Sequence, residues 1–465
     1  MKSKHIGLFI ILMFASAFLG VLTPVSADEN ISAGQQVVDY YRGVFHYDWS
    51  IGATYAYDSG DDMQRQNDYI AGSGYTPYES ELIEGTMSIT PILSPDNSED
   101  QIISLIQSAT TNLYIETMYI KSGLDDIVDA IVARHNAGVD VKVIVDESGS
   151  DQTMLDELAN AGISVKVSEP DAGAGNYFDT MHNKGVIADD KVLIGSINWS
   201  PTSLAYNREA GVIIENSAVT DYYEMIFDYD WIASVDYDNS IHFLSINGGF
   251  PEIATGPEPT SSYTAQFTAE TFTGEMNVSV MASPDNCFAM LNATIAAAEE
   301  SIDISLYTLS NPYLLDSLLD AMDRGVQIRL ILEDSQYGSW ERKYNRQTMY
   351  ELVEQGEALG KWESADDFTY QHAKYAIIDN KTLIISSGNW SMSSCPPEQE
   401  DGDVDGNRDW WMIIYGDSPT SLDFGGNETP PDIIDIIIEN WYWIMLGVAL
   451  VSVAVYVLSR AGIIG

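Results

Sequence analysis

Two stretches of this chain carry side chains that could do chemistry together. His182 to Ser200 reads H-N-K-G-V-I-A-D-D-K-V-L-I-G-S-I-N-W-S, and His372 to Ser391 reads H-A-K-Y-A-I-I-D-N-K-T-L-I-I-S-S-G-N-W-S. Each opens with a His and a Lys two residues apart, ahead of a short apolar run. In a strand, residues two apart project from the same face, so imidazole and ammonium would stand side by side. The polar D-D-K or D-N-K turn would return the chain along a neighbouring strand that carries Ser and Asn. One copy supplies a base or nucleophile beside a fixed positive charge. Two facing copies supply a nucleophile and a separate acid around one anionic centre, the outline of a phosphoryl-transfer site.

The shared pattern is H-x-K-x-x-x-x-D with S-x-N downstream. His182, Lys184, Asp189, Ser196 and Asn198 carry the first copy; His372, Lys374, Asp379, Ser387 and Asn389 carry the second. This resembles the phospholipase D superfamily, whose members bring two such motifs together in one chain or in a dimer. The resemblance covers roughly residues 85–415. It implies an α/β fold of two tandem phospholipase D-like repeats, each a mixed sheet flanked by helices, related by a pseudo-two-fold. It further implies a two-step phosphodiesterase or phosphatidyl-transfer mechanism without metal or other cofactor. One His forms a phosphohistidine, and the other protonates the leaving alcohol and then activates water or an acceptor alcohol. By the same resemblance His182 is the nucleophile. Lys184, Lys374, Asn198 and Asn389 would hold the phosphoryl oxygens, with hydroxyl contacts from Ser196 and Ser387. A carboxylate downstream of each motif would orient its His, at Glu209 in N-R-E and Asp409 in N-R-D. Asp189 and Asp379 fit a structural role at the strand turn. The shorter Asp409 and the Ser386 before the second motif Ser are departures from the family pattern, and neither removes a catalytic group.

The elements around these motifs repeat as well. G-T-M-S-I-T-P-I-L-S-P-D-N from Gly85 matches G-E-M-N-V-S-V-M-A-S-P-D-N from Gly274, 189 residues on, and the two His lie 190 apart. Both anchors read as an alternating strand and a turn. Helices are expected over 101–110 and 288–300 and over 124–136 and 314–324, with strands over 113–120, 302–309, 141–146 and 326–333. Strand–helix alternation at this spacing indicates an internally duplicated α/β layer. A helix with the pattern Y-Y-x-x-x-F-x-Y-D-W closes the first copy at 218–231. Its sole echo is at 34–49, ahead of the first copy, so that helix is expected to fold back and complete the second repeat, unless it is a remnant of a lost repeat.

The chain divides into a signal peptide (1–27), an N-terminal helix and connector (28–84), repeat 1 (85–240), a linker (241–273), repeat 2 (274–417), a stalk (418–437) and a transmembrane helix (438–459). The leader reading rests on Lys2 and Lys4 before an apolar run, with a small-residue cleavage site at residues 25–27. The apolar run 441–458 would span about 27 Å as a helix. Arg460 beyond it puts the globular part outside, at the cell surface.

Seventy acidic against 21 basic residues give a net charge of −49, spread along the chain. Such a surface suits high salt, where self-repulsion is screened, and argues against broad capture of nucleic acid. Among the substrates the resemblance implies, the expected membrane tether favours a phospholipid, with a nucleic acid cut by an extracellular endonuclease, or the transfer catalysed by a cardiolipin synthase, as alternatives. Two motifs in one chain suggest a monomer. Cys287 and Cys395 could pair as a disulfide outside the membrane. Asp401, Asp403 and Asp405 before Gly406 resemble the start of a calcium loop, but Met412 stands where the bidentate Glu belongs. A solvated acidic loop is the better reading.

Overall fold

The computed structural model describes residues 31–58, 78–146, 149–168, 178–237, 263–334, 341–397 and 406–417. Helix α1 (Ala33–Ile51) and the short strand β1 (Ala53–Thr54) come first. Repeat 1 then runs β2 (Glu81–Ser94), α2 (Ser98–Ser108), β3 (Asn112–Thr117), α3 (Asp125–Asn136), β4 (Asp140–Asp146), α4 (Gln152–Asn160) and β5 (Ser164–Ser168). It continues with β6 (Lys184–Ala188), β7 (Lys191–Gly195), α5 (Pro201–Ala205), β8 (Glu209–Glu215), α6 (Ser217–Ala233) and β9 (Val235–Asp236). Repeat 2 follows as β10 (Phe272–Ser283), α7 (Cys287–Ala296), β11 (Ser301–Leu306), α8 (Pro312–Asp323), β12 (Gln327–Leu332) and α9 (Glu341–Met349). After a π-helical turn (Tyr350–Glu354) come β13 (Leu359–Trp362), β14 (Lys374–Ile378), β15 (Thr382–Ser386) and β16 (Asp409–Tyr415).

The two duplicated anchors, β2 and β10, pair with each other in antiparallel register, with Gly85 opposite Met276. That contact fuses the two expected sheets into one, of 16 strands among the described residues. A free strand edge exposes unpaired backbone groups, and each anchor covers the other's. The strand order is β1-β13-β12-β11-β14-β15-β16-β10-β2-β8-β7-β6-β3-β4-β5-β9. It reads the same from either edge once each strand of repeat 1 is matched to its counterpart in repeat 2, with β9 matched to β1. Within each half, β3–β4–β5 and β11–β12–β13 are parallel, and the remaining neighbours are antiparallel.

This order explains the stray N-terminal helix. α6 and β9 close repeat 1, with β9 on the edge of β5; α1 and β1 take the same place in repeat 2, with β1 on the edge of β13. Both helices start from a side-chain cap: Ser32 accepts from Gln35 N and Asn216 from Val219 N. The start of α1 lies so close to β16 that a Cβ on Gly34 would come within 2.3 Å of the Tyr415 carbonyl oxygen. Gln35 Nε2 donates to the Asn380 carbonyl, 2.8 Å away.

Helices cover both faces of the sheet. Val37, Val38, Tyr41, Val44 and Phe45 of α1 share one core with Tyr222, Tyr223, Ile226 and Phe227 of α6. α2, α3 and α4 form a second core on the other face of repeat 1. Strand alternation divides the apolar side chains between them: Ile187, Val192 and Ile194 face the first core, Val186 and Leu193 the second. Such fully buried strands read as continuous apolar runs, as both motifs do.

Among the described residues no helix is long and apolar enough to cross a membrane. The expected leader 1–27, stalk 418–437, transmembrane helix 438–459 and acidic triplet Asp401, Asp403 and Asp405 all lie outside the described residues.

Candidate active site

His182 and His372 each stand two residues ahead of the Lys that opens β6 or β14. The two are held by contacts across the halves of the sheet. The His182 N–H donates to the Arg408 carbonyl (3.1 Å), and the His372 N–H donates to the Arg208 carbonyl (2.9 Å). The side chains cross in the same sense. His182 Nδ1 lies 2.8 Å from Asp409 Oδ1, and His372 Nδ1 lies 2.7 Å from Glu209 Oε2. Each carboxylate was expected to orient the His of its own copy, but each serves the other copy's His. The reason is topological: β8 and β16 lie either side of the β2–β10 centre, so their first residues point towards the opposite motif.

A carboxylate on Nδ1 fixes the neutral tautomer with the proton there and leaves the reactive lone pair on Nε2. Burial pushes both rings below the ordinary His value, His372 down to about 4. Asp409 and Glu209 oppose that shift, while Lys184 and Lys374 add to it. Both imidazoles are therefore neutral at pH 7 before an anion arrives. Their surroundings differ. Lys374 Nζ lies 3.1 Å from His372 Nε2 and 2.8 Å from the His372 carbonyl oxygen, whereas Lys184 Nζ donates to the His182 carbonyl. The Tyr307 ring packs 4.8 Å from the His372 ring, at a position where repeat 1 has Met118. Burial pulls Lys184 down to about 8, against the carboxylates of Asp409, Glu209 and Asp146.

Ser196 and Ser387 do not take the phosphate-binding place expected of them. Ser196 Oγ donates to Glu209 Oε2 (2.6 Å) and Ser387 Oγ to Asp409 Oδ1 (2.7 Å), both fully buried. Their hydroxyl protons are spent on the carboxylates, so each half runs Ser to carboxylate to the other half's His. Asn198 and Asn389 follow β7 and β15, each with an Oδ1 that is buried and has no protein partner. Buried amides are seldom left so, and a ligand or water would satisfy them. Asp189 and Asp379 sit at positive φ in the hairpins. Asp189 caps the N–H groups of Thr110, Thr111 and Asn112, and Asp379 those of Glu299, Glu300 and Ser301. They hold the loops leading into β3 and β11 and do not reach the cleft.

Cys287 and Cys395 do lie side by side, but as free buried thiols with their Sγ atoms 3.5 Å apart. That separation is a thiol contact and far longer than the ~2.05 Å of a disulfide.

The sequence reading missed the buried arginines that precede the carboxylates. Arg208 binds Asp96 at 2.7 Å and Asp48 at 2.9 Å; Arg408 binds Asp285 at 2.5 Å and Asp230 at 2.8 Å. Asp96 and Asp285 are the acids of the two S-P-D-N turns, and Asp48 and Asp230 those of the two D-W helix ends. All four acids lie in stretches whose duplication was already visible.

Two imidazoles and two lysines are thus held together by both halves of one α/β sheet. A family model described as "Cardiolipin synthase, PLD-like domain" matches residues 102–231 and 291–417, just over half of the chain, and the chain belongs to that phospholipase D-like family. A mitochondrial cardiolipin hydrolase of Chlamydomonas reinhardtii is 30% identical over 29% of this chain and 57% of its own length. Phospholipase D Z of Dictyostelium discoideum is 26% identical over 57% of this chain and 67% of its own. In fold, the crystal structure of phosphatidylserine synthase from Haemophilus influenzae Rd KW20 matches with a TM-score of 0.50 at 15% identity, over 70% of this chain and 82% of that one.

Proposed function

We propose that this chain is a membrane-anchored, outward-facing phospholipase D-type phosphodiesterase or phosphatidyl transferase working through a phosphohistidine. The observation that carries the reading is the crossed pairing of each His with the other half's carboxylate. It makes one centre out of two motifs related by a pseudo-two-fold, and it occupies the Nδ1 of both rings, so that chemistry falls to Nε2.

The roles follow from the neighbours of each ring. An ammonium 3.1 Å from the Nε2 of His372 opposes a positive charge there, so His372 stays neutral and attacks phosphorus. That reverses the assignment the family resemblance suggests. The bond from phosphorus to the leaving alcohol oxygen breaks as His182, protonated once the anionic phosphodiester is bound, gives that oxygen its proton. Neutral His182 then takes a proton from water or an acceptor alcohol, whose oxygen attacks phosphorus and breaks the bond to His372. Lys184, Lys374, Asn198 and Asn389 hold the non-bridging oxygens, where charge builds.

The acidic balance of the chain disfavours a polyanionic substrate, and the apolar segment 438–459 would hold the cleft near lipid headgroups. The full chain in detergent, incubated with phosphatidyl lipids and with DNA or RNA in the presence of chelator, tests this. Release of lipid headgroups is expected at low and high salt. Cleavage of nucleic acid with lipids untouched would overturn the lipid assignment, and loss of turnover with chelator would overturn the mechanism.

A further inference from the structure

Each motif His is preceded by a residue whose backbone N–H is taken by a buried carboxylate from elsewhere in the same repeat. Asp146 Oδ2 accepts from the Met181 N–H at 2.9 Å, and Glu333 Oε2 accepts from the Gln371 N–H at 2.6 Å. The acids occupy matching places. β3 pairs with β4 from Asn112 and Asp140, and β11 pairs with β12 from Ser301 and Gln327, so six residues along lie Asp146 and Glu333. They are 5% and 4% exposed. The residues they hold are also bridged to the other half, Met181 to Arg408 and Gln371 to Arg208.

We propose that Asp146 and Glu333 are positioning residues, each setting where its histidine enters the cleft by fixing the backbone one residue upstream. Resting on the catalytic roles given above for His182 and His372, this adds a third point of hold to each ring. The carboxylate fixes the preceding N–H, the opposite Arg carbonyl fixes the His N–H, and the opposite carboxylate fixes Nδ1. The same device occurs twice with different acids. A buried carboxylate is costly unless hydrogen-bonded, and an amide oxygen could accept the same bond; retention of a charge in both halves fits a role beyond filling space. In repeat 1 the charge has a second target. Lys184 is faced by Asp409 from β16, Glu209 from β8 and Asp146 from the end of β4, and these hold its proton against burial.

The test uses Asp146→Ala, Asp146→Asn, Glu333→Ala and Glu333→Gln in the full chain, with bis(4-nitrophenyl) phosphate as substrate and 15N-edited spectra of the imidazoles. The alanine variants lose about 10–100-fold in kcat with KM little changed, the scale of loss from a small misplacement of a reacting group. Asn and Gln, which keep an acceptor oxygen, recover most of it. Asp146→Asn moves the alkaline limb of the pH–rate profile to lower pH, because Lys184 loses one supporting charge; Glu333→Gln does not. In the spectra, Asp146→Ala perturbs the Nδ1–H signal of His182 and spares His372, and Glu333→Ala does the converse. Folded alanine variants with wild-type kcat and unmoved imidazole signals would overturn the proposal. If alanine prevents folding, Asp146→Glu and Glu333→Asp, which displace the carboxylate by one methylene, decide: wild-type kcat with unmoved imidazole signals in both overturns it. A wild type with no phosphodiester turnover would instead reject the catalytic reading, and the imidazole spectra would still decide the positioning.

Discussion

At the scale of single residues, the site depends on groups that change what a neighbouring imidazole can do. Glu209→Gln and Asp409→Asn keep the shape and remove the charge that holds each Nδ1–H. Each is expected to lower kcat by about 10²–10⁴-fold, the range of a general acid–base contribution. The crossed geometry adds a direction: Glu209→Gln should disturb the His372 resonance and Asp409→Asn that of His182. The low proton affinity of His372 also has a consequence for stability. Its value is about 4 when folded, against about 6.5 in an unfolded chain. The unfolded chain therefore takes up the proton first, and stability is lost as pH falls from about 6.5 to about 4. The loss is on the order of 3 kcal/mol. Melting temperature measured across that window should fall more steeply for the wild type than for His372→Asn. The residue types and spacing of the motifs were legible in the sequence, and the resemblance they carry pointed to the carboxylates Glu209 and Asp409. Which carboxylate serves which ring was not, because sequence proximity favours the same copy while the sheet's centre brings opposite copies together. The roles of Ser196 and Ser387 were misread for a related reason: spacing gives the strand, not the partner of a hydroxyl.

At the scale of elements, α1 and α6 tie the arginines to the rest of the fold. Each packs on its own half and sends one Asp from its C-terminal end to the other half's Arg, whose carbonyl holds the His of the helix's own half. Asp48 thus links the N-terminal helix to the backbone under His372. Each Arg keeps its second carboxylate, Asp96 or Asp285, when the helix Asp is changed, so what is lost is a charge-assisted hydrogen bond, at a cost of about 1.5–3 kcal/mol. Asp48→Asn and Asp230→Asn should each lower the denaturation midpoint accordingly, and Asp48→Asn should also reduce turnover, as measured by urea melts and kcat on the same preparations. The duplicated Y-Y-x-x-x-F-x-Y-D-W pattern showed the helix and hinted at its place. The pairing of β2 with β10 could not be read, since an alternating strand does not announce its neighbour. The segments that form α4, β5, α9 and β13 carry no comparable pattern. They are short, and α9, with E-R-K-Y-N-R-Q-T-M, lacks an apolar stripe.

At the scale of the whole molecule, the charge of −49 acts on every contact. Screening shortens the reach of that repulsion from about 10 Å at 0.1 M salt to about 3 Å at 1 M. The melting temperature should therefore rise steadily from dilute buffer to molar KCl; a fall would mean that attractive ion pairs, and not repulsion, dominate the surface. The fold class and internal duplication were readable because strand and helix periods recur at a nearly constant offset. The fusion of two repeats into one sheet, with one site shared between them, depends on contacts more than 160 residues apart. The most direct test of that shared site is to trap the intermediate. His182→Ala and His372→Ala, each mixed with a phosphodiester bearing a 4-nitrophenolate leaving group, are quenched and searched for phosphohistidine by mass spectrometry. His182→Ala should accumulate close to one phosphoryl group per chain on His372, with no base left to release it, and His372→Ala should accumulate none. A phosphoryl group on His182 in the His372→Ala variant would exchange the two roles. Absence of a covalent adduct from both variants, with the wild type active, would contradict a shared phosphohistidine centre.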